Sequence, residues 1–141
     1  LNMGINSIVV SKFHHEDVSS HRINLEDISV QEDDIVIFHS CGYTEHAGPW
    51  AARQYCTKVF LYHNITPHEL FSENSDLYKF CKLGREQLAD FIPDFHYFWG
   101  DSQYNLDELI ALGAPDSPAP RKIWLFAAGR PGETDYEPVE I

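Results

Sequence analysis

Three short segments end a hydrophobic run in residues that can donate, accept or carry protons. Lys58 to Pro67 (KVFLYHNITP) passes through Val59, Phe60, Leu61 and Tyr62 without a charge, then breaks into His63, Asn64 and Thr66. Asp34 to His39 (DIVIFH) repeats the layout and is followed by Ser40, Cys41 and Gly42. Phe95 to Trp99, more aromatic, gives way to Gly100, Asp101 and Ser102. A histidine at such an exit can exchange a proton near neutral pH, and hydroxyl, amide and carboxylate neighbours can hold a polar ligand. In open α/β sheets ligands bind beyond the carboxyl ends of the strands. His39, Ser40, His63, Asn64, Thr66, Asp101 and Ser102 are therefore the candidate site.

That site requires the three runs to be neighbouring strands. Uncharged β-branched and aromatic runs are how strands read when both faces are covered, as in a parallel sheet flanked by helices. Helical patterns lie between and after the runs, which argues for βαβ units, and the right-handed crossover rule then puts the polar ends on one edge. The expected fold class is α/β, a Rossmann-like, mostly parallel sheet with flanking helices. Strands are expected at 35–38, 59–62 and 95–99, with a helix from Ser75 to Phe91 on one face. In that helix Leu77, Phe80, Cys81, Leu88, Phe91 and Ile92 keep helical spacing, Gly84 on the same stripe allows close approach to the sheet, and Pro93 ends it.

The remaining elements are weaker. Residues 5–10 (INSIVV) read as a first strand, and 11–33 as a polar loop with a turn around Leu25 to Ile28. A helix is expected from Pro49 to Tyr55, with proline in its first turn, and a short helical turn after Pro67. Asn105 to Leu112 reads as a final helix, with Asn105 as cap, Glu108 three residues on, and Gly113 as the left-handed stop. Residues 1–113 would form the domain. Residues 114–120 (APDSPAP) read as a linker, 123–128 as a further strand, and the rest as a frayed tail.

Composition narrows the function. A chain of 141 residues with 43% hydrophobic and 23% charged residues suits one globular domain. It has no apolar run long enough to span a membrane and no signal-peptide pattern at its start. A net charge of −12, with 10 scattered Lys and Arg, argues against nucleic acid and against an anionic membrane surface. Its ordinary reading is a solubilising surface; a basic partner is the other. Cys41, Cys56 and Cys81 form no C-x-x-C and suit a reducing, cytoplasmic setting.

The same residues bear on other chemistries. Eight histidines invite a metal, but His14–His15 and His63–His68 match no ligand spacing, although His39 and His63 can still meet in space. Ser40 or Ser102 with His39, His63, Asp101 or Glu69 has the makings of a hydrolase triad, yet the G-x-S-x-G elbow is missing. Cys41 reads either as a thiol at a strand exit or as a small semi-buried side chain. No metal or cofactor is expected.

Taken in order, DIVIFHS, KVFLYHNITPHELF, CKLGREQLADF and GDSQYNLDELIALG resemble the amino-terminal half of retaining glycosyltransferases of the GT-B fold. That family includes sucrose synthase and the phosphatidylinositol mannosyltransferases. The resemblance runs from about Met3 to Gly113. It implies that His63 reaches into the cleft and contacts the donor sugar, with Arg85 of LGREQL and Asp101, Ser102 and Asn105 of DSQYN at family positions. A solvated or ion-paired arginine and a helix cap are the plain readings of Arg85 and Asn105.

The departures shape the expected function. A Gly-rich phosphate loop is missing, and no glutamate is followed by another eight residues later. Arg121, Lys122 and Arg130 are the late candidates for a pyrophosphate, and KIWLFAAGR faintly resembles the start of the family's second domain. The chain thus reads as an acceptor-side domain, either a piece of an enzyme or a small protein that kept this half. Its partners would be a nucleotide-sugar donor, a glycan or lipid-linked acceptor, and a donor-binding domain or chain. It is expected to be inactive alone. A non-catalytic glycan- or partner-binding module of the same fold is the alternative, and an interaction domain working through its acidic surface a third.

Overall fold

A computed structural model describes residues 7–12 and 22–116 of the chain. Two parallel sheets organise them. The first is a pair of two-residue strands, β1 (Val9–Val10) and β2 (Arg22–Ile23). The second has three strands, β3 (Ile35–Ser40), β4 (Thr57–Tyr62) and β5 (Tyr97–Gly100), in the order β3-β4-β5. Both pairings are parallel. Helices α1 (Ala47–Ala52), α2 (Asp76–Phe91) and α3 (Gln103–Ala111) complete an α/β architecture with a three-stranded parallel sheet flanked by helices.

Register sorts the side chains by face. Phe38, Phe60 and Phe98 are lateral partners, so they share one face, and Phe91 of α2 meets Phe38 and Phe60 at ring distances of 5.7 and 5.8 Å. Phe95 closes edge-on against Phe60 at 5.2 Å. These rings, with Tyr62, Ile65, Leu88 and Leu109, are the core. Fully burying such side chains contributes about 1.5–3 kcal/mol each. Central β4 is covered on both faces, as its uncharged run predicts, whereas Ile35 and Ile37 of β3 remain exposed on the far face. Lys58 is the buried exception: its ammonium donates to the Ala52 carbonyl at 2.6 Å and lies 5.9 Å from the centre of the Phe95 ring.

The expected strands and the long helix are found, and several details differ. On α2 the buried stripe is Cys81, Gly84, Leu88 and Phe91, while Leu77 and Phe80 are exposed. Phe80 is nonetheless used: its ring covers Gly42, where a Cβ would lie 2.3 Å from it. Gly84 permits close approach not to the sheet but to the loop leaving β3, where an added Cβ would come within 2.7 Å of the Tyr43 nitrogen.

Helix α1 starts earlier than Pro49 and stops before Tyr55. Its last carbonyls are taken by a tight turn and by side chains, with Gln54 donating to the Trp50 oxygen at 2.8 Å. Helix α3 also starts earlier, because its cap is Ser102 and not Asn105. The Ser102 hydroxyl accepts from the Asn105 N–H at 3.3 Å, which places Asn105 inside the first turn. Gly113 does take the left-handed conformation, at φ 106°. Strand β2 lies in the stretch expected to be loop, beside the turn that holds the buried Leu25. The 123–128 strand, the frayed tail and the basic trio Arg121, Lys122 and Arg130 lie outside the described residues.

Candidate functional site

The three strand exits meet on one edge, and their side chains form a line. Alternation puts His39 on the face opposite Phe38, in the row of Leu61 and Trp99. His63, two residues beyond Leu61, keeps to the same side. The pairing continues past the strands: the His63 N–H donates to the Ser40 carbonyl at 2.9 Å, and the Asp101 N–H to the Tyr62 carbonyl at 3.3 Å. Both backbones are thereby fixed before any side chain is considered. His39 Nδ1 then lies 2.9 Å from His63 Nε2, and His63 Nδ1 lies 2.7 Å from Asp101 Oδ2. The imidazoles are nearly parallel, 19° apart.

This line ranks the two histidines. Each ring nitrogen of His63 has a protein partner, whereas among the described residues His39 is bonded through Nδ1 alone. The His63 and Asp101 side chains are each about a third exposed, and of the two histidines His39 is the exposed one. Its pKa is lowered, chiefly by burial and further by the charge of His63, with the Asp101 carboxylate opposing.

A second network, on the inner side, holds the loop that carries His63. The Tyr62 hydroxyl donates to Glu108 at 2.7 Å and accepts the Ile65 N–H at 3.1 Å. Arg85 donates to the Ile65 carbonyl at 2.7 Å and pairs with Glu108. Between these anchors Asn64 adopts φ 72°, the left-handed conformation that asparagine tolerates better than most residues. Burial raises the pKa of Tyr62, partly offset by the Ile65 N–H and by Arg85. The phenol therefore stays protonated and keeps donating to Glu108.

The expected site residues divide accordingly. His39, His63 and Asp101 are brought into contact, and Asn64 and Thr66 are exposed on the same loop. Ser40 is 3% exposed and turns to the inner face in the row of Tyr62. The Ser102 hydroxyl is engaged as the α3 cap. Asn105 is 4% exposed, and its amide lies 3.5 Å from the Tyr62 carbonyl. The Arg85 guanidinium is spent on Ile65 and Glu108. Glu108, expected to serve a cap at Asn105, bonds Tyr62 and Arg85 instead; a tyrosine ending a buried strand and a glutamate inside a helix carry no sign that they will meet.

The acid–histidine pair of a triad is present, but its third member is His39 and not a serine. Among the described residues no three His, Cys, Asp or Glu side chains converge as metal ligands. A cavity of about 570 Å³ follows the outer edge of β3, lined mostly by aliphatic residues and Trp50, and reaches His39. No helix among the described residues is long and apolar enough to cross a membrane. No family model, curated protein or solved structure matches the chain.

Proposed function

We propose that this chain is the acceptor-side domain of a retaining, nucleotide-sugar-dependent glycosyltransferase of the GT-B type. The observation that carries the reading is the convergence of His39, His63 and Asp101 on one carboxyl edge of the sheet. These residues lie in three of the four segments that resemble the family, and the edge is where α/β sheets bind ligands. Glycosyl transfer passes through an oxocarbenium-like state as a nucleoside diphosphate leaves. A rigid, hydrogen-bonded edge of this kind can orient sugar hydroxyls against the reacting carbon.

Neutralising the diphosphate is a separate task. Of the candidate site residues, Arg85 alone carries a permanent positive charge, and it is engaged with Glu108. A donor-binding domain or chain would supply that part, in a cytoplasmic setting, and this chain alone would not turn over. The same observation favours the second reading, a non-catalytic glycan- or partner-binding module.

Reconstitution tests the proposal. The chain would be joined to the donor-binding domain of a retaining GT-B enzyme and assayed with radiolabelled nucleotide sugars and glycan acceptors. Transfer that needs both halves is expected. A folded chimera that transfers nothing across the panel would sink the enzyme reading, and turnover by the chain alone would overturn its incompleteness.

A further inference from the structure

We infer that His39, through its Nε2, is the atom that receives a ligand hydroxyl at this edge, and that Asp101 and His63 act through it as positioning residues. The choice of a sugar hydroxyl rests on the glycosyltransferase reading; the proton arrangement does not.

The arrangement follows from counting donors. An ionised carboxylate only accepts, so the 2.7 Å contact with Asp101 requires the proton of His63 to sit on Nδ1. When His63 is neutral it has this one N–H, and its Nε2 is a bare lone pair. The 2.9 Å contact between the rings then needs its hydrogen from His39 Nδ1. His39 has no second proton, and its Nε2 is an acceptor without a partner among the described residues. Both rings are thus held in the Nδ1–H form, the less favoured tautomer of a free histidine side chain. Two hydrogen bonds in series relay the preference of Asp101 to an atom on a different strand.

An outward lone pair selects its ligand. It accepts from a hydroxyl and offers nothing to a phosphate oxygen, which is itself an acceptor. The Asp101 carboxylate at the other end of the line disfavours an anion further. This edge accordingly takes the neutral, hydroxyl-bearing part of a substrate and leaves phosphate to another surface. His39 touches the ligand; His63, with both nitrogens occupied, does not.

The test is nitrogen-15 spectroscopy of the histidine rings in the full chain at neutral pH, with His39→Gln and His63→Gln to assign the signals. Expected are protonated Nδ1 and bare Nε2 on both rings. The His39 Nε2 signal should shift with methyl α-glucoside or methyl α-mannoside and stay still with sulfate, an oxyanion that carries no O–H at neutral pH. Asp101→Ala removes the acceptor that sets the order, so the Nε2–H form should appear on both rings and the glycoside response should fall. A purely structural Asp101 would leave the tautomers unchanged. An Nε2–H on His39 in the unaltered chain, or a response to sulfate in place of the glycosides, overturns the inference. So does a His39 signal indifferent to all three. A chain that passes these tests yet fails reconstitution keeps its hydroxyl site and loses the transferase reading; transfer with an Nε2–H His39 does the reverse.

Discussion

The Tyr62 hydroxyl donates to the Glu108 carboxylate at 2.7 Å, joining the end of the central strand to the middle of α3 across 46 residues of chain. The same oxygen accepts the Ile65 N–H, so one atom fixes both the helix and the loop that carries His63.

Tyr62→Phe keeps the buried ring and removes that oxygen. The Ile65 N–H and one Glu108 oxygen lose their partner, a loss of about 1–3 kcal/mol. Urea denaturation should show a lower midpoint with an unchanged slope; an unmoved midpoint would mean that water replaces the hydroxyl without loss.

Arg85 holds the loop through the Ile65 carbonyl and Glu108. Arg85→Ala and Glu108→Ala should each destabilise, and the double variant should lose less than their sum, with a coupling of roughly 0.5–3 kcal/mol. Strictly additive losses would show that the pair seen in the structure does not act as one.

Glycines 84 and 113 should respond to alanine for different reasons. At Gly84 the new Cβ meets backbone, 2.7 Å from the Tyr43 nitrogen, so overpacking of about 1–3 kcal/mol outweighs the helix-propensity gain of about 1 kcal/mol. At Gly113 there is open space but φ is 106°, so the cost is backbone strain alone. Thermal melts of the two variants decide the matter; a stabilised Gly84→Ala would refute the close contact.

Acid should weaken the fold through His39. Its folded pKa lies below the ordinary 6.5, so above 6.5 its contribution is fully present. As pH falls from there toward the lower folded value, the unfolded chain takes up the proton first and stability drops. Burial is the main cause of the lowered pKa, and the charges acting on it are His63 just past β4, which lowers it, and Asp101 at the exit of β5, which raises it. His39→Gln should flatten this part of the stability–pH curve, and an equally steep curve in that variant would assign the effect to other groups.

In a reconstituted enzyme, His63→Ala should lower transfer by roughly 10²-fold if the line stabilises developing charge. Since His63 works through His39, the double variant should lose little more than either single one, as residues acting as a unit do. Multiplying losses would separate the two histidines.

Much of this was legible in the chain because it depends on local pattern. The uncharged runs announced β3, β4 and β5, and their polar endings announced where His39, His63 and Asp101 would lie. Which histidine keeps a nitrogen without a partner among the described residues was not legible, since that depends on register and on the 2.9 Å contact between the rings. Helical spacing put Leu77 and Phe80 of α2 in the buried stripe, but both are exposed, and the Phe80 ring closes over Gly42 in the loop after β3. Ser102 and Asn105 are both good caps; tertiary packing chose between them by burying the Asn105 amide near the Tyr62 carbonyl.

The strand order carries one more consequence, for assembly. Each strand of the larger sheet lies beside its neighbour in sequence, so a chain emerging from synthesis can add one strand–helix unit at a time to what has already docked. Each exit contributes one member of the His39–His63–Asp101 line. The first two can meet as soon as β4 is in place, but the carboxylate arrives only with β5. Proton order at this edge is thus the last thing the sheet acquires as it forms, and the first it would surrender if β5 peeled away.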